Sequence, residues 1–295
     1  MVAPLIVTHC GAGSTHALDD LAVSAGGTGV SLLERRGRAL DAACGAIVVL
    51  EDDPRTNAGT GSRMRVNGRV QMDAALMVDT LEAGAVAAIE KVRNPILVAR
   101  KVMDTPHVLL VGLDATRFAR RAGFRAYEPA TSESRARLDE TLRRIREGEV
   151  PSYYRKWRNR GLVGTVGAVV RDSCGRFCAG SSTGGTGFMM PGRVGDSPIV
   201  GSGLYCGPAG AVTATGVGEE IIKRVLSKFV YDRMAAGDPA QRACAAGVAL
   251  FRRSVPIGVI AVDRHGVGVG SNRDMARWTN ARQSDRSSGP DHLNA

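Results

Sequence analysis

The chain has 295 residues, 44% hydrophobic and 23% charged, with a net charge of +10. That length suits one large domain or two ordinary ones, and the balance excludes a disordered or collagen-like chain. Aromatic residues make up only 4%, so a core of small aliphatic side chains fits layered sheets and helices better than an aromatic-rich β-sandwich.

The opening "MVAPLIVTHCGAGS" has no basic leader, and its apolar run is too short for a signal segment or a membrane span. A cytoplasmic protein with no membrane partner is expected. Residues 5–9 read as a buried strand ending in a Gly-rich turn. Residues 30–52 carry apolar side chains at helical spacing and predict one long helix with Leu32, Leu33, Leu40 and Ile47 inward. The stretch "DDPRTNAGTGSRMRVNGRVQMDAALM" reads as loop, strand, Asn67-Gly68 turn and strand. Helices are predicted around 81–92 and 95–103, then a strand at "HVLLVG" and a further helix.

From about 126 to 164 the texture turns polar, charged and proline-punctuated. Leu138, Leu142 and Ile145 recur at helical spacing, which predicts a solvated helix followed by a mobile linker. Tyr153, Tyr154 and Trp157 lie among basic residues, as single-stranded nucleic acid would require. No helix-turn-helix, RNP or zinc-finger pattern accompanies them, so no nucleic-acid partner is expected.

Past the linker, "VGTVGAVVRD" and "RFCAGSST" predict a hairpin. A long Gly-rich loop, strands at "IVGSGLY" and "GAVTAT", and a helix from Glu219 to Met234 follow. A last hairpin turns at Arg264–Gly266, and the tail "ARQSDRSSGPDHLNA" reads as disordered. Hairpin strands toward both ends with helices between them imply an α+β protein, two antiparallel sheets between helices, rather than a doubly wound parallel sheet.

The six cysteines have neither disulfide-framework nor zinc-ribbon spacing, and the five histidines form no HExxH pattern, so no transition-metal cofactor is expected. "GSSTG" (180–184) matches a nucleophile elbow around Ser182, but the two prolines that follow within "GTGFMMPGRVGDSP" deny it the required helix. Other features gain meaning together. Thr165 opens a strand, and Thr183 closes its hairpin partner, so their hydroxyls can meet. Arg193 and Asp196 offer opposite charges that could clamp a zwitterionic amino-acid head. Thr215 and Gly216 precede a helix and could donate to an oxyanion.

The set "HCGAG", "LEDDPRTNAGTGS", "GTVGAV", "STGG", "PGRVGDSP" and "TGVGEE", in this order from His9 to about Asn272, resembles the plant-type L-asparaginase/isoaspartyl peptidase family of N-terminal-nucleophile hydrolases. The resemblance implies a single domain of four layers, an αββα sandwich (the Ntn-hydrolase fold). It also implies self-cleavage between Gly164 and Thr165 into an α chain (1–164) and a β chain (165–295). Thr165 would then be nucleophile and, through its new α-amine, base. The amine's reference pKa of roughly 7.7–8.0 suits proton transfer near neutrality without a histidine.

By the same resemblance Thr183 assists the nucleophile, and Thr215 Oγ–H with Gly216 N–H holds the oxyanion. Arg193 takes the substrate α-carboxylate, Asp196 with the Gly218 carbonyl takes the α-ammonium, and Asn57 braces the site. Carbonyls of Leu50, Glu51, Asp53, Thr56, Ala58 and Thr60 match a loop that holds a structural sodium ion, with no other cofactor required. Substrates would be L-asparagine and β-aspartyl dipeptides, and the assembly a homodimer of αβ units. The chain departs from the family pattern at Cys10, and across 206–210 ("CGPAG"). A glycosylasparaginase-like amidase and an uncleaved, silent binding protein of the same fold are the alternative readings.

Overall fold

The computed structural model describes residues 2–35, 37–147, 164–186 and 189–282. Along the chain these form β1 (Leu5–His9), α1 (Asp19–Glu34), α2 (Ala39–Asp52), β2 (Met72–Val78), β3 (Ala83–Ile89), α3 (Pro95–Val102), β4 (Leu109–Val111), α4 (Gly112–Arg121) and α5 (Ser132–Arg146). The second half holds β5 (Val166–Arg171), β6 (Phe177–Thr183), β7 (Leu204–Gly207), β8 (Gly210–Gly216), α6 (Gly218–Arg224), α7 (Leu226–Ala235), α8 (Ala240–Ala249), β9 (Ile257–Asp263), β10 (Val267–Ser271) and β11 (Arg277–Thr279). One sheet has the order β11-β1-β5-β6-β2-β3-β4, the other β10-β9-β8-β7.

Strand alternation builds the layers. Ile6, Ala168 and Val170 face the helices α1 to α3, while their neighbours Leu5, Val7 and Val169 face the second sheet. In that sheet Ile260 and Val262 point back at the first, whereas Val259 and Ala261 pack under α7 and α8. Three apolar seams thus separate four layers, the αββα sandwich expected. Glycines let the layers approach closely: a Cβ on Gly180 would sit 2.6 Å from Ile47.

Several local predictions are corrected. The long helix at 30–52 is two helices meeting at Gly37, where an added Cβ would come 2.5 Å from the Leu32 carbonyl oxygen. The predicted helix at 81–92 is β3, because an alanine-rich strand between two neighbours is stabilised by burial that local propensity does not register. The sheets are not wholly antiparallel, since β4 runs parallel to β3 after a crossover through α3. The helix at 219–234 breaks at Val225, a non-glycine residue at φ 47°. Residues 199–203 form a turn, and the hairpin at 64–70 keeps only the Met64–Val70 bridge. Helix α8 and strand β11 were not anticipated.

Within the predicted linker, α5 is helical as expected. The stretch before it packs on the body, with Tyr127 hydroxyl bonded to Thr60 and the Pro129 carbonyl accepting from Gly61. Residues 148–163, with Tyr153, Tyr154 and Trp157, and the tail from 283 lie outside the described residues. No helix among the described residues is long and apolar enough to cross a membrane.

Candidate active site

Strands β5 and β6 pair antiparallel with Val166 opposite Ser182, which places Thr165 and Thr183 side by side at one end of the larger sheet. Strand β8 of the second sheet ends at the same level with Thr215 and Gly216. A cleft of about 210 Å³ opens there, lined by Gly164, Thr165, Thr183, Gly185, Arg193, Asp196, Gly216 and Gly218 among others. Residues separated by more than fifty positions therefore meet because the two sheets stack face to face with these strand ends at one end of the sandwich.

The Gly164–Thr165 peptide is the centre of this arrangement. Its carbonyl accepts from Thr183 Oγ1 and from Asn57 Nδ2, each at 2.9 Å. Thr183 is in turn oriented by the Gly185 N–H, which donates to Oγ1 at 2.9 Å. Asn57 is fixed by the Arg63 N–H on Oδ1 at 2.9 Å and by the Gly185 carbonyl, which accepts from Nδ2. Thr165 itself is 5% exposed.

Across the cleft, the Ala12 N–H donates to Thr215 Oγ1 at 3.1 Å. A hydroxyl that accepts from one side keeps its own hydrogen for another acceptor. Gly216 has φ 145°, and a Cβ there would lie 2.3 Å from the Pro256 carbonyl oxygen, so only glycine fits at this strand end.

Charge sits at the far wall. Arg193 Nε donates to Glu219 Oε1 at 2.9 Å, and Nη2 lies 2.9 Å from the same oxygen. Asp196 is 3% exposed, burial pushes its pKa up to about 7, and its Oδ2 has no partner among the described residues. A Cβ on Gly218 would fall 2.8 Å from Asp196 Oδ1 and 2.9 Å from Arg193 Nη2, so glycine keeps the two side chains in reach of one ligand.

Asn57 is carried by the loop 50–60. The Thr56 hydroxyl reaches three carbonyl oxygens, those of Leu50 (2.7 Å), Asp53 (3.2 Å) and Ala58 (3.4 Å). The Glu51 carbonyl accepts from the Thr60 N–H at 2.7 Å. One hydroxyl can donate to only one oxygen at a time, so this is an oxygen-rich cradle of the kind hard cations favour.

Sequence reasoning passed over three side chains here. His9 lies beside the Thr165 backbone and accepts from the Gly11 N–H at 3.1 Å, but burial lowers its pKa to about 3 and Nε2 has no hydrogen-bond partner among the described residues. It is a neutral ring and no proton acceptor at neutral pH. Glu51 is fully buried, with Ser182 Oγ donating to it at 2.6 Å and Ile96 N–H at 3.0 Å. That contact occupies Ser182 on the sheet face away from the cleft, so the elbow match at 180–184 is fortuitous. Glu219, inside the quoted "TGVGEE", gave its signal only once Arg193 was placed beside it. All six cysteines are free thiols.

Comparison with known proteins agrees with this geometry. The model of the asparaginase family matches residues 3–288. A plant-type L-asparaginase of Pyrococcus abyssi is 43% identical, covering 90% of this chain and 92% of that protein. An isoaspartyl peptidase/L-asparaginase of Danio rerio is 37% identical over 95% of this chain and 93% of its own length. An N(4)-(beta-N-acetylglucosaminyl)-L-asparaginase of Elizabethkingia miricola is 37% identical over 80% and 71% respectively. With its sandwich of sheets and a threonine-lined cleft at their common end, the chain belongs to the asparaginase family.

Proposed function

We propose that the chain is an autoprocessing hydrolase of L-asparagine and β-aspartyl dipeptides. The observation that carries this reading is the Gly164 carbonyl, held by two donors at 2.9 Å beside a threonine hydroxyl. Such donors polarise a carbonyl and stabilise the oxyanion formed when it is attacked. Thr165 Oγ adds to the Gly164 carbonyl carbon, the C–N bond breaks and the nitrogen takes a proton. Water then hydrolyses the resulting ester. The products are an α chain ending at Gly164 and a β chain beginning at Thr165.

The freed α-amine accepts the Thr165 hydroxyl proton during turnover. Thr165 Oγ attacks the side-chain carbonyl of the substrate, and the oxyanion is held by Thr215 Oγ–H and Gly216 N–H. Ammonia or an amine leaves with the proton, and water releases L-aspartate from the ester on Thr165. Thr183, relieved of the Gly164 carbonyl, is free to bond the nucleophile. Arg193 takes the α-carboxylate. The unpartnered oxygen of Asp196, with the Gly218 carbonyl, takes the α-ammonium.

The cradle at 50–60 suits a sodium ion held by carbonyls of Leu50, Glu51, Asp53, Thr56, Ala58 and Thr60. It would brace the loop that carries Asn57. Two αβ units would associate as a homodimer.

Intact-mass analysis tests the central step. The wild type should give two fragments with the second starting at Thr165, and Thr165→Ala should stay whole and inactive. Activity in a chain that remains whole would overturn the reading. Relative rates on asparagine, β-aspartyl-leucine and a glycosylated asparagine rank the leaving groups.

A further inference from the structure

The loop bearing Arg193 and Asp196 has no regular structure, and buried side chains from the start of β2 and the segment leading into it hold it in place. Gln71 Oε1 accepts from the Gly192 N–H at 2.8 Å, and Asp73 Oδ2 accepts from the Gly195 N–H at 3.3 Å. Arg65 Nη2 donates to the Arg193 carbonyl at 3.1 Å, Nη1 to the Gly184 carbonyl at 3.3 Å, and Nε to Gln71 Oε1 at 3.3 Å. The Met189 sulfur is a further contact of Nη1. A single guanidinium therefore ties the backbone just past Thr183 to the backbone of Arg193.

Arg65 is fully buried, and among the described residues each acceptor it hydrogen-bonds is neutral; the carboxylates of Asp73 and Glu90 act on it only through space, without a direct ion pair. Arg193, by contrast, already shares its charge with Glu219. Burying an unpaired cation is costly, and a neutral donor would serve as a mere tie. A fixed positive charge behind the cleft makes sense when negative charge arrives from outside.

We propose that Arg65 is a positioning residue for the carboxylate arm of the site, fixing the Arg193 backbone and supplying a positive charge, not neutralised by direct ion pairing, that favours substrates with a free α-carboxylate. It acts through Arg193 and the field in the cleft and does not touch the substrate. The proposal rests on the hydrolase reading above.

The test compares cleaved wild type, Arg65→Met and Arg65→Lys on β-aspartyl-leucine with its aspartyl α-carboxylate free, and on the same peptide with that group as a carboxamide. L-Aspartate affinity, measured by calorimetry, is the readout independent of turnover. Arg65→Met should raise KM for the free acid, and the Kd for L-aspartate, about tenfold, as loss of a charge-based contribution does, with kcat within about twofold. The carboxamide should lose markedly less kcat/KM than the free acid, and Arg65→Lys should fall between. Equal losses on both peptides, or unchanged discrimination in folded Arg65→Met, would overturn the proposal. If Arg65→Met fails to fold, Arg65→Lys decides: it supports the proposal by keeping most of the discrimination while weakening both constants, and overturns it by losing activity on both peptides alike. A wild type that hydrolyses neither peptide nor L-asparagine would overturn the hydrolase reading itself, and the Arg65 proposal with it.

Discussion

Ala12 N–H and Thr215 Oγ1 meet at 3.1 Å across 203 positions of sequence, joining the first turn of the chain to the end of β8. The contact turns the threonine hydroxyl into an aimed donor. Thr215→Val keeps the shape and removes the donor. It should lower kcat on L-asparagine about 10²- to 10³-fold, the usual effect of losing one oxyanion contact. Gel analysis should still show cleavage, because the donors on the Gly164 carbonyl come from elsewhere. Steady-state kinetics on the purified two-fragment protein check the first part.

Those two donors should act together on processing. Thr183→Val removes the hydroxyl, and Asn57→Leu removes the amide. Each should slow the appearance of the fragments by tenfold or more in a time course followed on a denaturing gel. A double variant that processes no more slowly than either single one would show the donors to be one unit.

The acidic limb of activity follows from Asp196. Its pKa is raised to about 7 by burial, and only the ionised form holds an α-ammonium. kcat/KM for L-asparagine should therefore fall as pH drops through about 7. The α-amine of Thr165, with a reference pKa of about 7.7–8.0, falls out of its basic form in the same direction. The combined slope should approach two protons in the free enzyme, and Asp196→Asn should reduce it to one while raising KM.

Glu51 predicts a pH-dependent stability. Burial pushes its pKa up to about 8 from 4.5. The folded state thus holds a proton that the unfolded state releases at lower pH. Stability is lost as pH rises between about 4.5 and 8, and the full penalty is reached above 8. Melting temperature should decline across that window in the wild type, and Glu51→Gln, a neutral mimic, should flatten the decline.

Much of the site was legible because its residues sit in short runs whose chemistry is local. "PGRVGDSP" carries both charges, and "TGVGEE" carries the donors and the helix entry. What stayed hidden depends on partners distant in the chain. Nothing in "RMRVNGRVQMD" announces that Arg65, Gln71 and Asp73 hold a loop more than a hundred residues away, and nothing near His9 announces that burial silences it. The fold shows the same division. Valine- and isoleucine-rich strands buried on both faces, such as β5 and β9, were read correctly, whereas β3 was mistaken for a helix because its alanines favour helix locally while two flanking strands decide otherwise. Val225, at φ 47° within the helix-favouring run "EEIIKRVLSKFV", gave no hint of a break.

The strand order has a mechanical consequence for the cleavage proposed above. In the larger sheet β1 lies between β11 and β5, and β6 lies between β5 and β2. A break before Thr165 assigns β1 and β2 to one fragment, and β11, β5 and β6 to the other. The pieces are thus braided through three strand seams, β11–β1, β1–β5 and β6–β2, and neither can leave without tearing all of them. Fragments from two molecules mixed together should not trade partners, and the halves made separately should assemble only by folding as one.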